Sequence, residues 1–351
     1  MSETKLKTAV LGLDDRGRFL LEAASQIDYF QIQAVADKDA NLAESTGYKY
    51  KCDHYDDYRQ LIMQNQFDCL LVAAGIHSCD EYIKMAMKKK TNVLKLAPLA
   101  RNFQEAAEFV RLAEGENIKF AIANPMRFAR SYLALREFLQ QGGLEQIFFI
   151  TVFCAVGNKQ AGTWQNDPKL AGGGVLLRNC YQIIDQIVWS MGMPQQVYCL
   201  NTNTASDRQQ RSYLTEDTAA VTMKFSDSFF GNLIAGKVFG PELEVLRVYG
   251  KDKILRVSND RFIISEGPGQ KSEAEYDDSE RTRYRALLEN FALSILAPDE
   301  NKLCSSAREN LNDMAVIEAS YLSARTGMPE EPGRILKMAQ TEPTNIRPTH
   351  K

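Results

Sequence analysis

The sequence contains few of the residues that build metal centres. Its 351 residues include three histidines and seven cysteines, and no C-x-x-C pair or Cys/His cluster has zinc spacing. We therefore expect no metal site. An odd number of cysteines without such pairs is typical of reduced thiols, which indicates the cytoplasm.

Long apolar runs and an excess of one charge are absent as well. No run approaches the ~20 residues that a membrane helix needs, and the polar residues 1–7 lack the apolar core of a signal peptide. The formal net charge is −3, from 42 lysines and arginines against 45 aspartates and glutamates, so nothing indicates nucleic acid or a membrane as a partner. Hydrophobic residues make up 44% of the chain and charged residues 25%, which is typical of a soluble globular protein. A chain of this length predicts two domains.

The stretch from Lys7 to Asp39 has the order strand, glycine turn, helix, strand and acid. The apolar run before Gly12 predicts the first strand, and Gly17 closes the turn. Asp37 ends the second strand 20 residues after Gly17, where Rossmann domains place a carboxylate that binds a ribose. This order predicts a dinucleotide site. NAD is favoured over NADP, because a 2′-phosphate would meet the Asp37 carboxylate.

Asp14 replaces the middle glycine of the G-x-G-x-x-G motif. That glycine lets the backbone approach the diphosphate, and a carboxylate there adds bulk and negative charge. One like-charge pair at about 6 Å costs roughly 2–3 kcal/mol at an effective dielectric of about 20. Arg16 is placed to offset part of this cost. Two interpretations stay open: a weakened or altered nucleotide site, and a Rossmann-type fold that no longer binds a nucleotide.

Strands alternate with helices through residues 1–125, which predicts a Rossmann-type α/β domain with a doubly wound parallel sheet. From about Phe148 the strands become longer and alternate in polarity. They predict an open, mostly antiparallel sheet in a second α/β domain over residues 126–340. Two late helices, Arg283–Leu296 and Ala307–Ala324, are candidates to pack back on the first domain. Residues 341–351 include two prolines and predict a loose tail.

Several motifs in order resemble the Gfo/Idh/MocA family, which is named after glucose–fructose oxidoreductase and inositol dehydrogenase. Residues 93–100, VLKLAPLA, align with the family's V-L-x-E-K-P-L-A, and residues 172–185, GGGVLLRNCYQIID, align with its G-G-G-x-L-x-D-x-G-x-H-x-x-D. Asn124–Phe128 and Ala315–Gly327 resemble the segment that leads to the second domain and the last helix. The resemblance implies an NAD or NADP cofactor, a sugar- or cyclitol-type ligand, and a homo-oligomer formed through the open sheet.

The same alignment departs from the family's catalytic residues. Ala97, Arg178 and Gln182 occupy the positions of the family's lysine, aspartate and histidine. A glutamine amide cannot exchange a proton near neutral pH, and the loss of one positioned acid/base typically costs about 10²–10⁴-fold in rate. The resemblance therefore implies a member with a degenerate site and weak or absent dehydrogenase activity.

Neighbouring residues are candidates to replace the lost groups. Lys95 lies two positions before Ala97 on the same strand face, or else is a half-buried lysine paired with a carboxylate. Tyr181 supplies a phenol next to the histidine position, or else packs against the sheet. Arg178 suits a carboxylate or phosphate of a ligand, or else pairs with a nearby acid. Trp164, on the loop before the triple glycine, either lines a ligand site or fixes the loop.

The predicted site residues form three groups, and Arg178 belongs to two of them. The catalytic candidates are Lys95, Tyr181, Gln182 and Arg178. The cofactor-binding candidates are Gly12, Leu13, Asp14, Arg16, Gly17, Asp37, Ala73 and Pro98. The substrate-binding candidates are Arg127, Trp164, Arg178 and Asp185.

Three functions stay open. The first is an NAD(P)-dependent oxidoreductase that acts on a sugar, cyclitol or derivative with relocated catalytic groups. The second is a degenerate relative that binds a nucleotide or a small sugar-like or acidic ligand, or that serves as the partner of an active protein. The third is an NAD-dependent enzyme of another reaction type, such as glycoside cleavage. The residues favour the second function, because four replacements fall in one predicted cleft: Asp14, Ala97, Arg178 and Gln182.

Overall fold

The computed structural model describes residues 5–157, 163–204 and 214–341. It contains two sheets, one of six parallel strands and one of eight mostly antiparallel strands. This architecture confirms the predicted fold class. None of the helices in the described ranges is long and apolar enough to cross a membrane.

The first sheet contains the carboxyl-terminal strand ends that position the site. Its strands are β1 (Leu6–Leu11), β2 (Phe30–Ala36), β3 (Asp53–Tyr55), β4 (Cys69–Val72), β5 (Asn92–Leu96) and β6 (Phe120–Ala123). Its helices are α1 (Asp15–Ser25), α2 (Ala40–Tyr50), α3 (Tyr58–Gln64), α4 (Asp80–Lys88) and α5 (Phe103–Gly115). The strand order β3-β2-β1-β4-β5-β6 reverses beside β1. Ligands of such sheets bind at this switch point, outside the carboxyl ends of the strands.

The second sheet follows a short 3₁₀ turn, Pro125–Phe128, and helix α6 (Arg130–Gln140). Its strands are β7 (Ile147–Ala155), β8 (Gln196–Thr202), β9 (Thr218–Lys224), β10 (Phe230–Gly236), β11 (Leu243–Gly250), β12 (Ile254–Val257), β13 (Arg261–Gly267) and β14 (Gln270–Glu275). They lie in the order β14-β13-β12-β11-β7-β10-β9-β8. Only the β7–β10 pair is parallel among these described strands, because the chain reaches β10 after crossing over through β8 and β9.

The connection from β7 to β8 contains the triple glycine. It includes a 3₁₀ turn, Thr163–Asn166, the short helix α7 (Pro168–Ala171) and a π-helical turn, Val175–Asn179. Helix α8 (Tyr181–Met191) follows directly. The chain continues after the second sheet with α9 (Glu280–Leu296), α10 (Ala307–Thr326) and α11 (Pro332–Thr341). The predicted tail lies outside the described residues, apart from Thr341 at the end of α11.

Helix α9 packs on the first domain although it follows the second sheet in the chain. Leu287 and Phe291 share a buried apolar core with Leu20 of α1. The ring of Tyr284 meets that of Phe19 edge to face, with centroids 5.1 Å apart. The helical layer on this side of the first sheet is therefore completed from the second half of the chain.

Candidate functional site

The glycine turn between β1 and α1 lies against the end of β4. Gly12 has a φ of +93°, and a Cβ there would overlap backbone atoms of Ala73 and Ala74. A Cβ at Gly17 would overlap the carbonyl of Gly12. The close approach of these backbone segments therefore requires both glycines.

Asp14 caps α1 from within this turn. Its Oδ1 accepts a hydrogen bond from the Gly17 N–H at 3.0 Å, as N-cap residues do. The first N–H groups of a helix are the groups that bind phosphate in dinucleotide sites. The Asp14 carboxylate therefore accepts from an N–H group that would otherwise bind a diphosphate oxygen, and its negative charge repels that oxygen.

Asp37 lies beside the same turn, at the carboxyl end of β2. Its Oδ2 accepts a hydrogen bond from the Leu13 N–H at 2.6 Å, and its Oδ1 accepts one from the Asp39 N–H at 2.9 Å. These bonds hold the carboxylate in a fixed orientation next to the turn. An acid in this place suits the two hydroxyls of an adenine ribose.

A cleft of about 120 Å³ lies at the carboxyl ends of β4 and β5, next to the glycine turn. Seven predicted site residues line it: Asp14, Arg16, Ala73, Lys95, Pro98, Trp164 and Arg178. The fold therefore brings candidates from both domains together. The other cofactor candidates, Gly12, Leu13, Gly17 and Asp37, belong to or contact the turn that contributes Asp14.

Lys95 lines the cleft but its ammonium group is bound to the backbone. It is 2% exposed, and it donates hydrogen bonds to the carbonyls of Pro98 at 2.5 Å and Leu96 at 3.4 Å. Burial lowers the pKa of the ammonium group. Its proton donors are therefore directed into the turn after β5.

Arg178 and Trp164 form the side of the cleft that the second domain contributes. The guanidinium carbon of Arg178 lies 4.6 Å from the centroid of the Trp164 ring system, a cation–π contact. The His77 ring lies 4.5 Å from the same tryptophan. Burial and neighbouring cations lower the pKa of His77, which favours its neutral form. Burial and the positive charge of Arg16 lower the pKa of Arg178.

The triple glycine packs against three different parts of the chain. A Cβ on Gly172 would overlap the backbone of Arg101, one on Gly173 would overlap the Tyr321 hydroxyl, and one on Gly174 would overlap the carbonyl of Glu216. A side chain at any of these positions would therefore require the neighbouring segment to shift.

Glu216 then fixes the π-helical turn that carries Arg178. Its carboxylate accepts hydrogen bonds from the Gly174 N–H at 2.8 Å, the Leu176 N–H at 3.0 Å and the Tyr321 hydroxyl at 2.8 Å. No sequence motif predicts this role for Glu216, because its partners lie about 40 and 105 residues away in the chain.

Tyr181 is buried in the core and does not line the cleft. It is 1% exposed, and its hydroxyl donates a hydrogen bond to Asn310 Oδ1 at 3.0 Å. Burial raises its pKa well above the usual range of a phenol. Tyr181, a catalytic candidate of the sequence analysis, therefore lies outside the cleft, because it starts α8 on the side that faces α10.

Arg127 and Asp185 bind each other instead of a ligand. Arg127 donates to both carboxylate oxygens of Asp185, at 2.6 Å and 2.9 Å, and its Nη1 donates to Glu309 at 2.8 Å. Arg127 is 2% exposed and Asp185 is fully buried. These two predicted substrate-binding residues therefore form a buried ion pair between the start of the second domain and α8.

Gln182 lines a second cavity of about 400 Å³, separate from the cleft that contains Arg178. Glu244 of β11 and Arg283 of α9 line the same cavity. The Tyr132 hydroxyl donates to Glu244 Oε1 at 3.2 Å, and burial raises the pKa of Glu244 to about 7. Glu244 is therefore a group that can exchange protons near neutral pH, and the sequence patterns did not single it out.

The described residues contain no group of three or more histidines, cysteines, aspartates or glutamates that could hold a metal ion. All seven cysteines are free thiols.

Comparison with known proteins gives relatives for both domains. D-xylose 1-dehydrogenase (NADP(+)) 2 of Haloferax volcanii is 23% identical over 91% of this chain and 97% of its own length. scyllo-Inositol 2-dehydrogenase (NADP(+)) IolU of Bacillus subtilis is 24% identical over 55% of this chain and 60% of its own length. An uncharacterized oxidoreductase of Schizosaccharomyces pombe also matches over 60% of its own length. Among solved structures, an inositol dehydrogenase homologue from Azotobacter vinelandii in complex with NAD+ superposes with a TM-score of 0.85, at 17% identity, over 93% of this chain and 97% of that one.

Family models match nearly the whole of the described chain. Residues 6–123 match the oxidoreductase family's NAD-binding Rossmann fold, and residues 136–331 match its C-terminal alpha/beta domain. The first match contains the glycine turn with Asp37, and the second contains the triple glycine with Arg178. The chain therefore belongs to the Gfo/Idh/MocA family of oxidoreductases.

Proposed function

We propose that the protein binds a nicotinamide dinucleotide and a sugar- or cyclitol-type alcohol, and that ordinary dehydrogenase turnover is weak or absent. One observation carries this proposal: the cleft next to the glycine turn joins Asp14 and Arg16 of the first domain to Arg178 of the second. The cleft lies where doubly wound folds bind dinucleotides. The same cleft contains Ala97 at the position of the family's lysine, so it retains a place for the cofactor without the usual catalytic groups.

The residues around the turn fit a dinucleotide. Gly12 and Ala73 would lie against the diphosphate side of the cofactor, and Asp37 would bind the ribose hydroxyls. The bound dinucleotide would supply the hydride acceptor or donor. The Asp37 carboxylate favours NAD over NADP in this chain, although the names of both dehydrogenase relatives specify NADP(+).

The expected loss of turnover follows from the groups that remain. Ala97 has no ammonium group, the amide of Gln182 does not accept or release a proton near neutral pH, and Lys95 donates to the backbone. Loss of one positioned acid/base costs about 10²–10⁴-fold in rate. The first domain keeps Gly12, Gly17 and Asp37 of its cofactor motif, while the second domain no longer presents the usual proton-transfer group.

A second candidate function is an active dehydrogenase with a relocated acid/base, and Glu244 is the observation that favours it. Glu244 lines the 400 Å³ cavity together with Gln182, the residue at the family's histidine position. Burial raises the pKa of the Glu244 carboxyl group to about 7. A cavity of this volume accommodates a monosaccharide-sized ligand. In this alternative, Glu244 would accept the hydroxyl proton of the alcohol.

Calorimetric titration with NAD+, NADH, NADP+ and NADPH tests the cofactor proposal. We expect micromolar binding of an NAD form, and the absence of binding up to millimolar concentration would refute the proposal. A polyol and aldose panel then separates the two candidates. Turnover that appears only in the variant Ala97→Lys/Arg178→Asp/Gln182→His supports the degenerate site. Turnover in the unmodified protein that is lost in Glu244→Gln supports the relocated acid/base.

We also propose that the open face of the second sheet joins copies of this chain. Phe149, Phe230 and Tyr249 lie in one cross-strand row on that face, with the ring centroids of Phe149 and Phe230 4.9 Å apart. Phe230 is 49% exposed and Leu200 is 61% exposed. An exposed apolar face of this kind favours a protein interface, and light scattering of the purified protein tests it.

A further inference from the structure

The cleft between the two domains contains the guanidinium group of Arg178, which forms no salt bridge within the described residues. Arg178 is half-buried, and its Nη1 is fully enclosed without a hydrogen-bond partner in the part of the chain that the structure describes. Arg127 provides the contrast: its guanidinium group is bound by two carboxylates and a backbone carbonyl. A buried donor that lacks a partner costs free energy, so the cleft favours a ligand that can accept its hydrogen bond.

Most of the charged residues around Arg178 in the cleft are cations. Arg16 and Lys95 line the same cleft, and burial together with the positive charge of Arg178 lowers the pKa of Lys237. Asp14 is the single carboxylate among the residues that line the cleft in the described structure, and one of its oxygens already accepts from the Gly17 N–H. The cleft therefore has an excess of positive charge even with Asp14 ionised.

The size and cover of the cleft suit a small anionic group. Its volume is about 120 Å³, which holds a phosphate or carboxylate group but not a whole sugar. The Trp164 ring covers one face of the guanidinium group of Arg178, whose central carbon lies 4.6 Å from the ring centroid, and the His77 ring lies 4.5 Å from the tryptophan. Arg178 is half-buried, which strengthens the attraction between its guanidinium group and an anion relative to open solvent.

We propose that Arg178 and Arg16 bind one anionic oxygen group between them and that Trp164 closes this site. Two sources supply such a group: the diphosphate of a dinucleotide and the carboxylate of an acidic ligand. The inference rests on the proposed function for the first source. When the group is a diphosphate, Arg178 offsets the repulsion that Asp14 introduces at the glycine turn. Side chains of both domains then bind the phosphate in place of backbone N–H groups. Arginine suits this role because its planar donors bind two oxygens at once.

Tryptophan fluorescence measures occupancy of this site directly. The chain has two tryptophans, and Trp189 stacks on Arg136 and Arg127 away from the cleft. The variant Trp189→Phe therefore leaves Trp164 as the single reporter. We would titrate it with sodium diphosphate, NAD+ and sodium gluconate, and confirm each affinity by calorimetry on the protein with both tryptophans.

Substitution of Arg178 is the decisive comparison. For each probe that binds the unsubstituted protein, we expect Arg178→Gln to lower the affinity at least tenfold. Arg178→Lys should recover part of the loss, because it restores the charge but not the paired donors. Arg285→Gln is the matched control, since Arg285 is an exposed arginine on α9 that pairs with Glu289. The control should bind as the unsubstituted protein does.

Each outcome decides the proposal. Saturable binding of diphosphate and NAD+ that depends on Arg178 supports the cofactor source, and binding of gluconate alone that depends on Arg178 supports the carboxylate source. Micromolar NAD+ binding that changes less than twofold in Arg178→Gln refutes the inference and leaves the proposed function intact. No binding of any of the three probes refutes the inference and the proposed function together.

Discussion

The variant Glu244→Gln should remove a large pH dependence from the stability of the protein. Burial raises the pKa of Glu244 from 4.5 to about 7, so the folded state holds this carboxyl group neutral at pH values where the unfolded chain ionises it. A pKa difference of about 2.5 corresponds to roughly 3–4 kcal/mol, at about 1.4 kcal/mol per unit. Because the pKa is raised on folding, this stabilisation is complete below about pH 4.5 and is lost as the pH rises towards 7.

Glutamine keeps the acceptor for the Tyr132 hydroxyl and cannot ionise. The free energy of unfolding of Glu244→Gln, minus that of the unsubstituted protein, should therefore rise by about 2–3 kcal/mol between pH 5 and pH 8. Urea denaturation followed by circular dichroism at four pH values measures this difference. Glu145→Gln, at a side chain that is 77% exposed, controls for the loss of one surface charge.

A flat difference would contradict this reasoning. If Glu244→Gln and the unsubstituted protein follow parallel stability curves within about 0.5 kcal/mol, the folded state does not hold the carboxyl group neutral. Glu244 would then lose its support as a relocated acid/base, because a carboxylate with an ordinary pKa is a weak proton acceptor at neutral pH.

Four further substitutions test separate parts of the structure. Asp14→Gly should raise NAD+ affinity about 10–100-fold by calorimetry, since it removes a like charge at the diphosphate and leaves only a weaker helix cap; unchanged affinity would show that Asp14 does not oppose the cofactor. Asp37→Ala should lower the ratio of NAD+ to NADP+ affinity at least tenfold, and a constant ratio would contradict the assigned ribose contact. Gly173→Ala should lower the free energy of unfolding by about 1–3 kcal/mol because its Cβ overlaps a tyrosine hydroxyl, whereas Gly115→Ala, with no atom within 4 Å of the added Cβ, should not. Leu200→Lys on the open sheet should shift the molar mass in light scattering towards the monomer, and an unchanged mass would place the interface elsewhere.

Local patterns in the sequence were sufficient for the fold. The alternation of apolar strands and helices predicted both sheets, because burial imposes a period on each element regardless of its partners. Two elements are exceptions. β14 has five exposed residues out of six, and α2 buries the small residues Ala43 and Gly47, so neither shows an apolar period that a sequence pattern can detect.

The site could be predicted only where a motif fixes the backbone. Asp14, Arg16 and Arg178 lie in one cleft because the glycine turn and the triple glycine make close contacts that fix the backbone of both segments. Arg127 and Asp185 were assigned to a substrate because their mutual pairing depends on a contact across 58 residues. Neither of the two sequence segments, taken alone, indicates that its polar side chain lies next to the other in the fold.

Glu244 is a residue of the site that the sequence patterns did not predict. Its position on β11 places an acid among apolar residues, which is the one local signal it offers. Its raised pKa depends on burial in a cavity that Gln182 and Arg283 also line, from two other elements. Such an environment exists only after the second sheet and α9 have come together.

The packing of α9 on α1 has a consequence for the timing of synthesis. The first domain's strands are complete in the nascent chain at Ala123, but one side of its core stays uncovered until Leu296 has been made. At roughly 5–20 residues per second, the ribosome needs about 10–30 seconds for the intervening stretch. During that interval Leu20 and its neighbours face solvent, so this face of the nascent chain is where a chaperone would bind and where a chain terminated early would aggregate.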